Sequence, residues 1–312
     1  MGFSNRSKTG FGLLAGSKPL IPESWGIRPL SHRNHDSAKH VLPPEKGPEM
    51  DTEPRPTPGQ ACVVLQKKGD LCTVILNRPT VMNAIGWDMV MDLRKAFQTI
   101  GEDEEIRVVI LEGSGGNFCA GGDMDLLGAG RPAPEYLVIM RSVSDMIKGI
   151  REIPQPVLCK VRGVAIGAGA NLALAGDFVV ASHNARFQEV FVHLGIGLDA
   201  GGTFFLPRLV GLAKAKELAM LGEAIDGETA ASMGLIYKSV RNEALDGEVA
   251  GLAKTLAAKS PKALASIKQG LDASLDMSLS EALEREAAHQ SILLQTTEHK
   301  QAVKRFLEPR RK

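Results

Sequence analysis

The chain has 312 residues, 44% of them hydrophobic and 23% charged, with a formal net charge of +1. At ~150 residues per domain this length suits about two domains or one large α/β unit, and the composition excludes wholesale disorder, collagen and coiled coil. A charge so near zero gives no electrostatic footprint for nucleic acid or an anionic membrane.

Nine of the 17 prolines fall within residues 1–60. Apolar periodicity is absent there, so the segment is expected to be a disordered N-terminal extension. Arg6, Lys8 and Lys18 precede the first acid, Glu23, as in an organellar transit peptide, although no amphipathic Arg/Ser helix follows. Met50 offers a plainer natural start.

From residue 61 the pattern changes. Residues 62–65 and 71–76 are β-rich and flank a predicted turn at Lys67-Lys68-Gly69-Asp70. Trp87, Val90, Leu93, Phe97 and Ile100 recur at helical spacing. A short buried strand is predicted over 107–111, ending in Gly113-Ser114-Gly115-Gly116. Residues 137–150 read as a helix with Met140, Val143, Ile147 and Ile150 on one stripe. A strand at 157–161, a glycine-rich turn, a helix through 172–175 and a strand at 178–181 follow. After Gly211 the reading is almost entirely helical, with starts near Ala213, Gly227, Glu243, Pro261 and Ser278, the last marked by a Ser278-x-x-Glu281 capping box. Strands alternating with helices and then a helical tail predict an α/β fold: a core over 61–260 and a C-terminal helical region over 261–312.

Cys62, Cys72, Cys119 and Cys159 form no C-x-x-C pair and have no histidine at zinc-finger spacing. Reduced, mostly buried thiols in an intracellular, cytoplasmic protein are therefore expected, with no metal. The most apolar stretch, 156–182, carries Lys160, Arg162 and Asp177. A bilayer span wants ~20 mainly apolar residues, so no transmembrane helix is predicted.

Chemistry concentrates at two glycine-rich junctions, Gly116-Asn117-Phe118-Cys119-Ala120-Gly121-Gly122-Asp123 and Val161-Arg162-Gly163-Val164-Ala165-Ile166-Gly167-Ala168-Gly169-Ala170-Asn171. Neither is a dinucleotide fingerprint or a phosphate-binding loop. Small residues at a helix N-terminus leave backbone N–H groups uncovered. Two such ends aimed at one point make an oxyanion hole, where one donor is worth ~3 kcal/mol of transition-state stabilisation.

These junctions resemble the crotonase (enoyl-CoA hydratase/isomerase) superfamily. The resemblance continues in Leu76-Asn77-Arg78-Pro79 with Asn83-Ala84, Ala200-Gly201-Gly202-Thr203, Leu206-Pro207-Arg208 and Ala230-Ala231-Ser232-Met233-Gly234-Leu235. It covers the chain from about Cys62 onward. It implies a ββα spiral with a C-terminal helical oligomerisation region, a homotrimer or hexamer, and a coenzyme A thioester as substrate rather than a separate cofactor. It further implies that the N–H groups of Gly122 and Ala168 hold the thioester oxygen. Val81, Met82 and Ala84 would cradle the nucleotide end of CoA, and Ala120, Asp123 and Met124 would line the pantetheine channel.

The positions of the hydratases' two glutamates hold Asn171 and Phe191, and neither side chain can serve as general acid or base. Both are expected at the substrate pocket, Phe191 as a wall for an unsaturated or cyclic acyl group. The carboxylate left is Asp199. Its position resembles that of dienoyl-CoA isomerases, 4-chlorobenzoyl-CoA dehalogenases and the ring-epoxide isomerases of phenylacetyl-CoA breakdown, with the likeness extending furthest to the last. The dehalogenases' histidine position maps to Ser144, so that constellation is incomplete. His193 and Cys119 read as structural. Glu189 shares a face with Phe191 if the segment is extended and is the spare acid for water addition; otherwise it is solvated. The expectation is an acyl-CoA isomerase in which Asp199 moves a proton. The alternatives are an enoyl-CoA hydratase that recruits Glu189 or Asp199, and a catalytically silent CoA-ester-binding protein.

Overall fold

A computed structural model describes residues 61–307. The expected extension over 1–60, with Met50 and the basic residues ahead of Glu23, lies outside the described residues. The described chain begins with a hairpin of β1 (Val63–Lys68) and β2 (Leu71–Leu76), closed by Gly69-Asp70 with Lys68 opposite Leu71. Lys67 and Lys68 are thus strand residues rather than the predicted turn. They sit on a sheet edge, where charged side chains discourage further pairing.

After a 3₁₀ turn at Pro79–Val81 come α1 (Trp87–Glu102), β3 (Val108–Gly113), α2 (Met124–Leu127) and α3 (Ala133–Glu152). Next are β4 (Val157–Val161), β5 (Val164–Ile166), α4 (Ala168–Leu174), β6 (Phe178–Ser182) and β7 (Arg186–Gln188). A second 3₁₀ turn, Val190–Leu194, leads to α5 (Gly202–Leu221), β8 (Ile225–Asp226), α6 (Gly227–Ser232) and β9 (Lys238–Val240). The chain ends in α7 (Leu245–Ala257), α8 (Pro261–Ser274), α9 (Leu279–Leu293) and α10 (Thr297–Leu307).

Two sheets result. The larger runs β1-β2-β3-β4-β6-β9, parallel from β2 onward; the smaller runs β5-β7-β8. The side-chain period of two along β3, β4 and β6 divides the core. Val109, Leu111, Cys159, Val161, Val179 and Ala181 join α1 and α3 on one face, while Val108, Leu158 and Val180 meet Leu245, Val249 and Ala253 of α7 on the other. Parallel strands covered on both faces read as near-continuous apolar runs, as these do. On α1, Met89, Val90, Leu93, Ala96, Phe97 and Ile100 are buried; of the predicted stripe Val90, Leu93, Phe97 and Ile100 face the core, whereas Trp87 in the first turn is exposed.

The tail differs from the all-helical reading. Helix α5 is two helical pieces joined across a kink at Gly211, whose φ is +73°: the second starts near Ala213 as expected, and the first, from Gly202, was not anticipated. The strands β8 and β9 interrupt the helices, and α7 starts at Leu245 after a 3₁₀ turn at Asn242–Ala244. Each of these strands is too short to show a period of its own. The capping box on α9 forms in full: Glu281 N–H donates to Ser278 Oγ, and Ser278 N–H donates to Glu281 Oε2 at 2.7 Å. Helix α8 is pinned to the core by Lys268, whose Nζ lies 2.9 Å from Asp177 Oδ2, with Arg151 bridging Asp177 and Asp272. All four cysteines are free thiols, three of them buried. Among the described residues no helix is long and apolar enough to cross a membrane.

One buried side chain ties the turn after β2 to the loop after β3. Asn83 is fully buried in the left-handed region, at φ +57°. Its Oδ1 accepts from Arg78 N–H at 2.9 Å, and its Nδ2 donates to the carbonyls of Ser114 and Asn117 at 2.9 and 2.8 Å. Asn83→Ala leaves buried polar groups unpaired and should cost about 3 kcal/mol of unfolding free energy. Urea denaturation followed by circular dichroism checks this; a loss under ~0.5 kcal/mol would remove Asn83 from that role.

Candidate active site

The two glycine-rich junctions meet. Residue Cys119 bridges to Ala165 and Gly122 bridges to Ile85, both in parallel sense, so loop 119–122 lies as a short extended strip between two neighbours. Its ladder is Cys119 N–H to Val164 O (2.9 Å), Ile166 N–H to Cys119 O (3.0 Å), Ile85 N–H to Gly121 O (2.7 Å) and Asp123 N–H to Ile85 O (3.0 Å). The approach is close enough to forbid side chains. A Cβ on Gly121 would stand 2.6 Å from Ile166 O and 3.7 Å from Ala168 N, and one on Gly169 would stand 2.4 Å from Cys119 O.

Several backbone donors around this contact are engaged, and those of Gly122 and Ala168 are among the ones that are not. Ala120 N–H donates to Met82 O and Gly167 N–H donates to Gln188 O. No acceptor among the described residues engages the N–H of Gly122 or of Ala168, the latter being the first residue of α4. Both residues line a cavity of about 630 Å³. A helix N-terminus carries partial positive charge and uncovered N–H groups, so this end of the cavity suits an oxygen that gains negative charge.

Val81, Met82 and Ala84 line the same cavity, as do Ala120, Asp123, Met124, Phe191 and Asp199. Met82 and Met124 are exposed, which suits the rim of the cavity. Both 3₁₀ turns contribute to the wall, Val81 from the first and Val190, Phe191 and Leu194 from the second. Asp123 is fixed by Arg78, whose Nη1 lies 2.8 Å from Asp123 Oδ2 and also donates to Ala84 O at 2.7 Å. That ion pair locks the two loops together. Ser144 lies instead on a separate cavity of about 1040 Å³ between α3, α5 and α8, which contains none of the predicted site residues.

Three carboxylates reach the cavity wall, and their environments differ. Asp123 is paired with Arg78, Asp125 is exposed, and Asp199 is largely desolvated with its Oδ1 buried and unpartnered. Burial pushes the Asp199 carboxyl up to about 6. Its side chain caps no helix; only its carbonyl takes part in the local turn, accepting from Gly202 N–H at 2.9 Å. An aspartate poised near neutrality at a cavity wall suits proton transfer.

Asn171, expected at the pocket, is a layer behind it. It is fully buried on α4 and absent from the cavity wall, and its Nδ2 donates to Asp199 O at 3.0 Å. The physical reason is helical phase: Ala168 opens α4 at the cavity, and three residues on the side chain points toward the start of α5. Glu189 also departs from expectation. It is 5% exposed rather than solvated. The segment that follows is 3₁₀ rather than extended, so Glu189 and Phe191 do not share a face: Phe191 reaches the cavity and Glu189 faces a small void behind it. His193 is structural, its Nε2 3.0 Å from Gly222 O. Burial raises the Cys119 thiol to about 12, and its Sγ donates to Asn83 O, which fits packing rather than reactivity.

Comparison with known proteins agrees with the motifs and the fold. Residues 66–312 match the enoyl-CoA hydratase/isomerase family model, and the chain belongs to that family, the crotonase superfamily. It is 35% identical to the 1,2-epoxyphenylacetyl-CoA isomerase of Escherichia coli K12 over 241 residues, 76% of this chain and 92% of the relative. It is 38% identical to a probable enoyl-CoA hydratase of Rhodobacter capsulatus over 240 residues, covering 77% and 92%. The crystal structure of an enoyl-CoA hydratase from Polaromonas sp. JS666 superimposes with a TM-score of 0.76 at 34% identity, covering 79% of this chain and 97% of the other. The family is enzymatic, and relatives of both reaction types are present at similar identity.

The loop contact yields a test. Gly121→Ala must push the Ile166 carbonyl away and strain a backbone at φ +96°, shifting the loop that leads into Ala168 relative to Gly122. Steady-state turnover should fall by about 100-fold or more, the worth of one misplaced donor, while far-ultraviolet circular dichroism stays that of the parent. Near-parental turnover in a folded variant would show that the spacing of these loops is irrelevant to activity.

Proposed function

We propose that this protein is an acyl-CoA isomerase, moving a proton between two carbons of a CoA thioester through an enolate. The supporting observation is the arrangement of one desolvated, unpaired carboxylate, Asp199, on the cavity that also receives the free N–H groups of Gly122 and Ala168. In this reading the thioester oxygen accepts from those two N–H groups. The Asp199 carboxylate takes a proton from an acidified carbon, and negative charge builds on the oxygen. The resulting carboxylic acid then returns the proton to a different carbon of the conjugated enolate. Atoms balance with no water consumed. Val81, Met82 and Ala84 cradle the nucleotide end of CoA, and Ala120, Asp123 and Met124 border the pantetheine arm.

Hydration needs a second group to position or activate water. The positions that serve this in the hydratases hold Asn171 and Phe191, and the spare acid Glu189 is not on the cavity wall. The substrate is therefore read as an enoyl-, dienoyl- or ring-containing acyl-CoA whose flat acyl group lies against Phe191.

Incubation with 2-enoyl-, 3-enoyl-, 3,5-dienoyl- and aromatic-ring-derived CoA thioesters, followed by mass spectrometry, is the direct test. An isomer of unchanged mass is expected; a product heavier by one water would replace this reading with hydration. Binding without reaction across the panel would favour a silent CoA-ester-binding protein.

Asp199→Asn provides a second test. Turnover should drop about 10²- to 10⁴-fold with CoA-ester binding retained, and parental turnover should rise with pH through about 6 as the carboxylate forms. Stability moves the other way. A carboxyl whose folded value lies above its unfolded value contributes stability below the unfolded value and loses it as pH rises through the folded one. Asp199→Asn should therefore be more stable than the parent at pH 8, on the order of 1–3 kcal/mol by chemical denaturation. Equal or lower stability there would contradict the desolvated environment.

Helices α8 and α9 leave Ile267, Leu271, Leu275, Leu279 and Leu283 exposed, Leu279 at 77%. So many large apolar groups on one region favour burial by other copies of the chain, and a homotrimer or its hexameric dimer is the assembly proposed. Light scattering should report three or six chains; a monomer at micromolar concentration would exclude it.

A further inference from the structure

Behind Asp199 lies a second buried carboxyl that the proposed mechanism does not use. Glu189 is 5% exposed, yet no cation accompanies it. The void it faces is bordered by Ala170, Leu206, Leu218, Ile225 and the acidic Glu223, and no basic residue lines it. Among the described residues its side-chain partner is Asn171, whose Nδ2 lies 3.4 Å from Glu189 Oε2. The other charged group close to it is Asp199, of like sign. An ionised carboxylate buried without a cation is strongly disfavoured.

Asn171 has a complementary gap. Its Nδ2 donates one hydrogen to Asp199 O and directs the other at Glu189, but its Oδ1 is buried with no donor. Gly202 packs against this amide: a Cβ there would stand 2.6 Å from Asn171 Nδ2 and 3.1 Å from its Oδ1. A protonated carboxyl solves both problems at once. Its carbonyl accepts from Nδ2–H, and its O–H donates to Oδ1, closing a two-bond ring between acid and amide.

We propose that Glu189 is held as the neutral acid, paired in this ring with Asn171, and that the pair is the positioning device that fixes Asp199 at the cavity wall. The inference rests on the isomerase reading only for the role given to Asp199; the protonation of Glu189 stands apart from it. The ring orients the Asn171 amide, whose remaining N–H holds the Asp199 carbonyl and so the turn into α5. Loss of the Glu189 proton sets a carboxylate oxygen against Oδ1 and adds a second negative charge beside Asp199. Burial and Asp199 both raise the Glu189 carboxyl, to about 7, against a lowering by Asn171. The two acids thus titrate as a coupled pair, and activity is expected to rise with the first step and fall with the second.

Glu189→Gln separates this idea from its rivals, because a glutamine makes the same two-bond ring and cannot ionise. With a 3-enoyl-CoA as probe, this variant should keep turnover within about threefold of the parent at neutral pH and lose the alkaline decline. Glu189→Ala should lower kcat tenfold or more across the pH range with KM little changed. A Glu189→Gln variant as impaired as Glu189→Ala, or one that keeps the alkaline decline, would overturn the proposal. An infrared titration of the free protein gives a readout independent of any substrate. The C=O stretch of a buried protonated carboxyl should be present at pH 6, persist in Asp199→Asn and vanish in the Asp199→Asn, Glu189→Gln double variant. Its absence from the parent would refute the neutral acid even if the isomerase reading holds, and full turnover by Asp199→Asn would sink that reading while leaving this band to decide.

Discussion

The site depends on two loops lying closer together than side chains permit. Cys119 donates to the Val164 carbonyl and accepts from Ile166 N–H across the gap, while Gly121 faces the Ile166 carbonyl and Gly169 the Cys119 carbonyl at distances no Cβ tolerates. Because the contact is main chain to main chain, its geometry is set by hydrogen-bond length rather than by rotamers. That makes it a rigid place to present two N–H groups. Preorganised donors stabilise developing charge without reorganising at the moment of reaction, and these need only the backbone to stay where the sheets put it.

The remaining parts hold that contact in register. β5 belongs to the small sheet with β7, so loop 164–168 is anchored on the side away from Cys119. On the other flank Asn83 and the Arg78–Asp123 pair fasten the turn after β2 to loop 119–123. A half-buried ion pair adds little net stability once desolvation is counted, and its value here is geometric. It carries the wall formed by Val81, Met82 and Ala84 at a fixed distance from Gly122.

The glycine junctions were legible because their role is carried by the backbone: a missing side chain is itself visible in a sequence. Asp199 was singled out through the family resemblance of the segment ending in Ala200-Gly201-Gly202, and the structure places it on the cavity wall. The α1 stripe and the Ser278–Glu281 capping box declared themselves through periodicity and spacing. The three-residue strands β5 and β7 did not, since they are created by pairing with loops and have no period of their own. Glu189 was misjudged through a choice of period. Two residues apart in a strand share a face, but at three residues per turn they lie about 120° apart on the circle, which separates Glu189 from Phe191. Asn171 was placed one layer too far forward because its neighbours' role at the helix N-terminus does not extend a full turn along α4.

Layering also accounts for how two acids so close in space can have different work. Asp199 faces the cavity, where solvent or substrate can reach it, and in the proposed isomerisation it must ionise to take a proton. Glu189 faces apolar walls, where ionisation has no compensation. Both are raised by burial, but their surroundings separate them, and Asn171 between them couples one to the other. A hydratase requires both acids on the reacting face. In the proposed reading the acid behind the amide is a support and Asp199 the one proton-transfer group, and a single movable proton is what isomerisation requires.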